Sequence, residues 1–294
     1  MSTNRPEIVI MKSVRPAAFV LVSTHHGTMI VNRNDFHRVD EKSIYGVGHQ
    51  LMARSCYDQH DVQLILELLQ LRLQHYGPGV TALDCGANIG VHSIEWANLM
   101  TDWGQVHAFE AQEKIFYALA GNIVINNCLN VHARHVALGD RAGTLSIPEP
   151  NYLQPGSFGS FELRKMPVNE NIGQKIDYAA ATTSIDLITL DSLALERVDL
   201  IKIDVEGMEE EVLNGSKVLI GKHKPLMYIE VIKSNQQNLR DFLRNFDYAL
   251  FPLGMNMLAI HKNDACLANV KTSKGKLSIN KGKSAQEAKG PGPL

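Results

Sequence analysis

Residues 80–90, Val-Thr-Ala-Leu-Asp-Cys-Gly-Ala-Asn-Ile-Gly, constrain this chain more than any other stretch. A short apolar run ends in an acid, a glycine turn follows, and helical periodicity then begins. That order is a strand, a tight turn and a helix start. Gly86 and Gly90 carry no Cβ, so the backbone there can approach a ligand closely. Sites of this kind sit at the carboxyl ends of strands in open α/β sheets. The spacing is G-x-x-x-G, not G-x-G-x-x-G, so the dinucleotide fingerprint fails as written.

From Val80 onward, strand-like and helix-like segments alternate. Strands are expected over 80–84, 105–110, 131–138, 198–205 and 225–231. Helices are expected over 89–99, 114–126, 208–220 and 235–245, with a closing hairpin of 248–252 and 257–260. Such alternation predicts a mostly parallel sheet with helices on both faces. Before it, Phe19–Ser23 and Thr28–Asn32 suggest a hairpin, and Asp58 is placed to cap a helix over about 62–75. Residues 140–184 hold four prolines and four glycines and show no helical face. An irregular insertion this long is usually a lid or binding loop. Asn151, Tyr152, Ser157 and Phe158 are its candidate wall residues. The chain thus divides into a lead-in or cap over 1–78, a central domain over 79–262 and a tail over 263–294.

The net charge of −2 hides an asymmetry. Residues 271–294 carry six lysines against Glu287, which leaves 23 basic and 30 acidic residues in the rest. An acidic core offers no electrostatic groove for phosphates, which argues against nucleic acid as a partner. The tail is poor in large apolar groups and is expected to be disordered. The four cysteines form no C-x-x-C pair, which fits a reducing compartment and argues against a zinc site. No apolar run approaches a membrane span, and the N-terminus lacks a signal-peptide pattern. A cytoplasmic location is the expectation.

Five further residues carry chemistry. Glu110 ends the second strand of the alternating region, 26 residues after Asp84. A carboxylate there can accept both hydroxyl protons of a ribose, or merely cap the next helix. In Asp199–Glu209, alternation through Leu200, Ile201 and Ile203 marks a central strand, from whose end Asp204 and Glu206 emerge. Lys202 lies two residues before Asp204, so both face the same side. A buried lysine needs a carboxylate partner, and Lys202 with Asp204 is either a structural ion pair or part of an active site. Glu230 closes the fifth strand and would lie beside Asp204 if strands four and five are neighbours. Two such acids suit general-base work or cation binding. The histidines show no metal-ligand spacing, and no metal is expected.

These residues resemble the FkbM family of S-adenosylmethionine-dependent methyltransferases. The likeness rests on Leu83–Ser93, on Val106–Ala111 with Asn122–Asn127 after it, and on Leu200–Glu209, and it covers about residues 44–262. It implies a class I methyltransferase fold: a Rossmann-like three-layer α/β sandwich with a mostly parallel seven-stranded sheet whose last strand is antiparallel. It implies that Asp84, Gly86, Asn88 and Gly90 hold the methionine end of the cofactor and Glu110 its ribose. The 136–140 segment, with Ala137 and Asp140, should border the adenine, and the Asp204–Glu206 region should face the substrate. Two departures are visible. The usual Glu-Pro is Glu110-Ala111 here, and Tyr57-Asp58 is the nearest match to the acid that often follows the lead-in tyrosine.

The reaction implied is O-methylation of a hydroxyl on a sugar or other small metabolite. Asp204 or Glu230 would accept the hydroxyl proton, or Lys202 if burial lowers its pKa. The rival readings are a nicotinamide-dependent oxidoreductase and a cofactor-binding module without catalysis. Acceptor specificity is expected to lie in residues 1–60 and 141–184.

Overall fold

A computed structural model describes residues 15–41, 43–180, 183–273 and 276–280. In chain order the strands and helices are β1 (Phe19–Thr24), β2 (Gly27–Asn32), β3 (His37–Arg38), β4 (Ile44–Tyr45), α1 (Val47–Arg54), α2 (Gln59–Tyr76), β5 (Val80–Cys85), α3 (Val91–Leu99), β6 (Gly104–Glu110) and α4 (Glu113–Ile125). There follow β7 (Val131–His135), β8 (Ala137–Leu138), β9 (Gly143–Ile147), β10 (Thr183–Ile188), β11 (Leu200–Ile203), α5 (Glu209–Asn214), α6 (Lys217–His223), β12 (Leu226–Glu230), α7 (Gln236–Asn245), β13 (Tyr248–Leu253), β14 (Asn256–His261), β15 (Val270–Ser273) and β16 (Lys276–Ile279).

Seven strands form one sheet in the order β13-β14-β12-β11-β5-β6-β7. Only β14, the last in sequence, runs against the others. The expected class I methyltransferase architecture is therefore present. Central strands are apolar on both faces because helices cover both. Val80, Ala82, Leu200 and Leu226 point to one side, with the apolar faces of α2, α3 and α4. Leu83, Ile201, Ile203 and Met227 point to the other, with α5, α6 and α7. The chain order reverses between β5 and β11, which opens a crevice at their carboxyl ends.

The hairpin β1–β2 belongs to the same core, since Met29 and Val31 pack with α2 and the sheet. Asn122 of α4 ties it down. Its buried amide donates to the carbonyls of Ile30 and Ile89 and accepts from the Ile30 amide. One residue thereby links the hairpin, α4 and the turn that follows β5.

Four expectations need correction. The third strand is not continuous: β7 ends at His135, and Ala137–Leu138 joins a second sheet beside β10. The helix expected over 208–220 breaks into α5 and α6. A Cβ on Gly215 would lie 2.0 Å from the Gly139 carbonyl oxygen, so this point packs directly against another backbone segment. The insertion is not wholly irregular, for β9 pairs antiparallel with β10, and Phe161, Leu163 and Ile172 bury in a core of their own. The tail is folded through residue 279. Arg72 of α2 forms a buried ion pair with Asp264, Cys266 is fully buried, and Leu267, Val270, Leu277 and Ile279 pack on the main core. Residues 281–294, which hold three of the six tail lysines, lie outside the described residues.

Candidate functional site

The turn after β5 is shaped by contacts that leave no room for side chains. Gly86 has φ +80°, and a Cβ there would lie 1.8 Å from the Asp204 carbonyl oxygen. Its amide and that of Ala87 donate to Phe109 O at 3.0 and 2.9 Å. The ends of β5, β6 and β11 are thus clasped together at one glycine. Asn88 also takes a positive φ, and Gly90 starts α3 with its Cα against Leu119. The Glu110 carboxylate accepts from the amides of Asn88 (2.9 Å) and Gln112 (2.7 Å). Burial pushes its pKa up to about 7, although those two hydrogen bonds pull it down. Each oxygen keeps a lone pair for a further donor.

Asp84 is fully buried and accepts from Ser93 Oγ at 2.6 Å. The register pairs Lys202 with Asp84 across β11 and β5. Lys202 Nζ lies 3.6 Å from Asp84 Oδ1 and 3.1 Å from Asp204 Oδ2, and donates to Gly86 O at 3.4 Å. Burial alone would depress its pKa, but the charges of Asp204 and Asp84 outweigh burial and hold it above the ordinary lysine range. The condition for a Lys202 base is therefore not met. Lys202 is a fixed cation joining the Gly86 turn to Asp204.

Glu230, at the end of β12, is the neighbour of this group. Burial, then the charges of Asp204 and Glu209, raise its pKa to about 8. Its Oε2 is buried and has no hydrogen-bond partner. Glu206 sits at φ +55° and pairs with Lys233. Burial and the charge of Asp204 push its carboxyl far up. Oxygens of Asp204, Glu206 and Glu230 lie within 4.8 Å of one another, a spacing a hard cation could use. Two ammonium groups, Lys202 and Lys233, supply countercharge there. Glu209, in the first turn of α5, accepts from the amides of Val205 and Gly207 at 3.1 Å, which fixes the loop carrying Asp204 and Glu206.

One cavity of about 560 Å³ joins these parts. Gly86, Asn88, Glu110, Ala137, Lys202, Asp204, Glu206 and Glu230 all line it. Asp84 and Gly90 stand behind the turn and shape it. Asp140 does not line the cavity. The chain turns away after Leu138, held by the Gly139 amide on Ile188 O, and the Asp140 carboxylate pairs with Arg141 on the surface. Among the insertion's candidates, Ser157 reaches the cavity, whereas Phe158 is buried in the core and Asn151 and Tyr152 line a separate surface groove.

Tyr57 and Asp58, the pair singled out in the sequence, line the cavity just before α2. Several other lining residues escaped sequence reasoning: Asp61 enters from the start of α2, Tyr228 and Asn256 from β12 and β14, and Lys233 from the loop after β12. Lys233 Nζ also bonds Ser160 O at 2.9 Å and Glu170 at 2.8 Å, fastening the insertion over the cavity. A basic residue three positions after the strand-end Glu230 was the available signal. His92, the second residue of α3, is buried and lines the cavity too; burial and then the charge of Lys202 lower its pKa to about 3, so it is neutral.

The sheet order, the glycine turn at its switch point and the acid ending β6 define a class I methyltransferase fold. Residues 84–250 match the family model described as the methyltransferase FkbM domain. That match spans more than half of the chain, which belongs to the FkbM methyltransferase family. A relative, the methyltransferase sdnD of Sordaria araneosa, is 30% identical over 155 residues, covering 45% of this chain and 59% of that protein. The chain thus spans about three fifths of this curated relative. Similar solved structures include the methyltransferase FkbM from Methylobacillus flagellatus (16% identity, TM-score 0.44, 67% of this chain and 48% of that one). Another is the precorrin-6y C5,15-methyltransferase from Geobacter metallireducens (16% identity, TM-score 0.41, 70% and 88%).

Proposed function

We propose that the chain binds S-adenosyl-L-methionine and transfers its methyl group to a hydroxyl of a sugar or other small metabolite. The observation that carries this reading is a single cavity with two chemically distinct ends. At one end stand Glu110, the Gly86–Asn88 turn and an apolar wall of Val136, Ala137 and Leu138. At the other stand Asp204, Glu206 and Glu230. The donor set fits the cofactor. Glu110 has free lone pairs for a ribose diol, the turn brings backbone close, and the apolar wall suits an adenine face.

When bound, the cofactor supplies a sulfonium methyl that is already electrophilic. The chain's task is to align the acceptor oxygen with it and to take up the hydroxyl proton. Glu230 suits proton uptake best, because a base works well when its pKa lies near the working pH and one of its oxygens is unengaged. Asp204, held by Lys202, accepts a hydrogen bond from the acceptor and orients it. Glu206 faces the acceptor side and is fixed by Lys233. The insertion, fastened through Lys233, keeps water from the reacting oxygen.

Calorimetry with S-adenosylhomocysteine and with NAD, side by side, tests the donor. Mass spectrometry of a panel of hydroxylated acceptors tests the product. Binding of NAD alone would sink the reading, and tight binding of S-adenosylhomocysteine with no methyl transfer from S-adenosylmethionine to any acceptor would favour a non-catalytic module. If Asp204→Asn leaves transfer intact, Asp204 has no part in handling the acceptor.

A further inference from the structure

Beyond the donor end, the cavity wall is strongly one-sided in charge. Six carboxylates line it: Asp58, Asp61, Glu170, Asp204, Glu206 and Glu230. Against them stand only Lys202 and Lys233 among the described lining residues, and both are already ion-paired, Lys202 with Asp84 and Asp204 and Lys233 with Glu170 and Glu206. No lysine or arginine remains to receive an anionic acceptor.

Among the described residues, neither Asp58 nor Asp61 has a lysine or arginine at ion-pair distance; Asp61 lies 3.4 Å from the exposed His60 imidazole, and the charge of Lys202 reaches Asp58 more weakly than burial and Asp61 do. Asp58 occupies the N-cap position of α2, where an aspartate ordinarily accepts a backbone amide. It does not do so here: its φ is +37° and its side chain makes no cap hydrogen bond. Its carboxylate instead lines the cavity rim, and burial and the nearby Asp61 raise its pKa. Asp61 lies one turn on, bonded by Asn256 Nδ2 at 3.1 Å. The phenol rings of Tyr57 and Tyr228 line the cavity with this pair.

Four buried polar atoms on the same cavity have no hydrogen-bond partner among the described residues: Glu206 Oε2, Glu230 Oε2, Nδ1 of His92 and the Tyr228 hydroxyl. Glu206 is ion-paired with Lys233, and His92 is only 8% exposed. An ionised carboxylate only accepts, a neutral imidazole has one accepting nitrogen, and a phenol can donate or accept. With six carboxylates on the wall, N–H donors of a ligand find more partners there than acceptors do.

We propose that the acceptor carries a protonated amine near its reacting hydroxyl, and that Asp58 and Asp61 bind that ammonium at the cavity rim. This rests on the methyl-transfer reading above and narrows its acceptor class. The amine is a recognition element, and the hydroxyl remains the methylated group. The facing tyrosine rings add attraction for a cation.

The test uses the full chain saturated with S-adenosylhomocysteine and matched probes read by calorimetry. Glucosamine and 2-aminoethanol are compared with glucose and ethane-1,2-diol, with glucuronate and glycolate, and with magnesium chloride alone. Asp58→Asn keeps the backbone preference, since asparagine tolerates positive φ, and Asp61→Asn is nearly isosteric. At least one amine should bind about tenfold more tightly than its neutral match, and the acids should bind worst. Both variants should erase the amine preference while leaving the affinity for S-adenosylhomocysteine within about twofold, since neither residue is assigned to the donor end. Equal binding of amine and neutral probe overturns the proposal. So does a preference for the acids, no amine binding at millimolar concentration, an amine preference that survives both substitutions together, or magnesium binding in place of amines. Failure of S-adenosylhomocysteine itself to bind overturns the methyl-transfer reading, and this inference with it.

Discussion

Among the described residues, Lys202→Met removes the one cation that the fully buried Asp84 contacts. The Lys202 side chain is 7% exposed and that of Asp84 1%, with Asp204 3.1 Å and Asp84 3.6 Å from the ammonium. After the substitution Asp84 keeps only the Ser93 hydroxyl. Breaking a buried pair from one side costs about 3–5 kcal/mol, a large share of the roughly 5–15 kcal/mol that holds a domain together. The remedy for the orphaned charge is to remove it. Asp84→Asn in the Lys202→Met background should recover part of the loss, with a coupling energy of about 1–3 kcal/mol. Urea unfolding followed by far-ultraviolet circular dichroism measures all three variants. The lysine's folded pKa lies above its unfolded value, so its contribution is complete below about pH 10 and is lost only as pH rises further. The deficit of Lys202→Met should accordingly stay level between about pH 7 and 9. A loss under about 1 kcal/mol, or strictly additive effects of the two substitutions, would refute the reasoning.

Three other outcomes follow from the site. Glu230→Gln should lower kcat/KM by about 10²–10⁴; in the parent protein the rate should climb as pH rises through about 8, where Glu230 loses its proton, and a variant that keeps that profile removes Glu230 as the base. Glu110→Gln should weaken S-adenosylhomocysteine binding by about 1.5–3 kcal/mol in calorimetry. Because burial raises the folded pKa of Glu110 to about 7, the parent loses stability as pH climbs from about 4.3 to 7. The same variant gives up one of the two backbone-amide hydrogen bonds but also this pH-dependent loss, so its melting temperature relative to the parent should rise between about pH 4.3 and 7, and a difference that stays level contradicts that linkage. Gly86→Ala forces an L side chain to φ +80° and into the Asp204 carbonyl. It should cost more than about 2 kcal/mol in thermal unfolding, and a neutral effect would show that the clasp between β5 and β11 is dispensable.

The fold was legible wherever the signal was local. The alternation of apolar runs located every strand of the central sheet within a few residues, because a buried parallel strand must be apolar over its whole length. The turn at Asp84–Gly90 could be read for a similar reason, since close backbone approach demands glycine, and Glu110 was legible as the acid that ends β6. Lys202 was read correctly as facing Asp204, since side chains two apart on a strand share a side, and the ion pair between them was one of the two readings open to it. The second carboxylate, Asp84, was not legible, because only the register of β11 with β5 places it there.

What the sequence determined by itself is the end of the cavity formed by the Gly86–Asn88 turn and Glu110, whose geometry follows from local rules. What tertiary structure decided is the opposite, acidic end. Asp58 has the sequence position of a helix cap, but its backbone conformation turns the carboxylate to the cavity instead. Lys233, Tyr228, Asn256 and Asp61 meet there from separate elements, and the last three lie far apart in sequence. The described part of the tail likewise takes its order from long-range contacts, since Arg72 of α2 pairs with Asp264 only after the sheet has brought them together. Electrostatic pairing and cavity walls depend on distance in space, and a sequence records distance only along the chain.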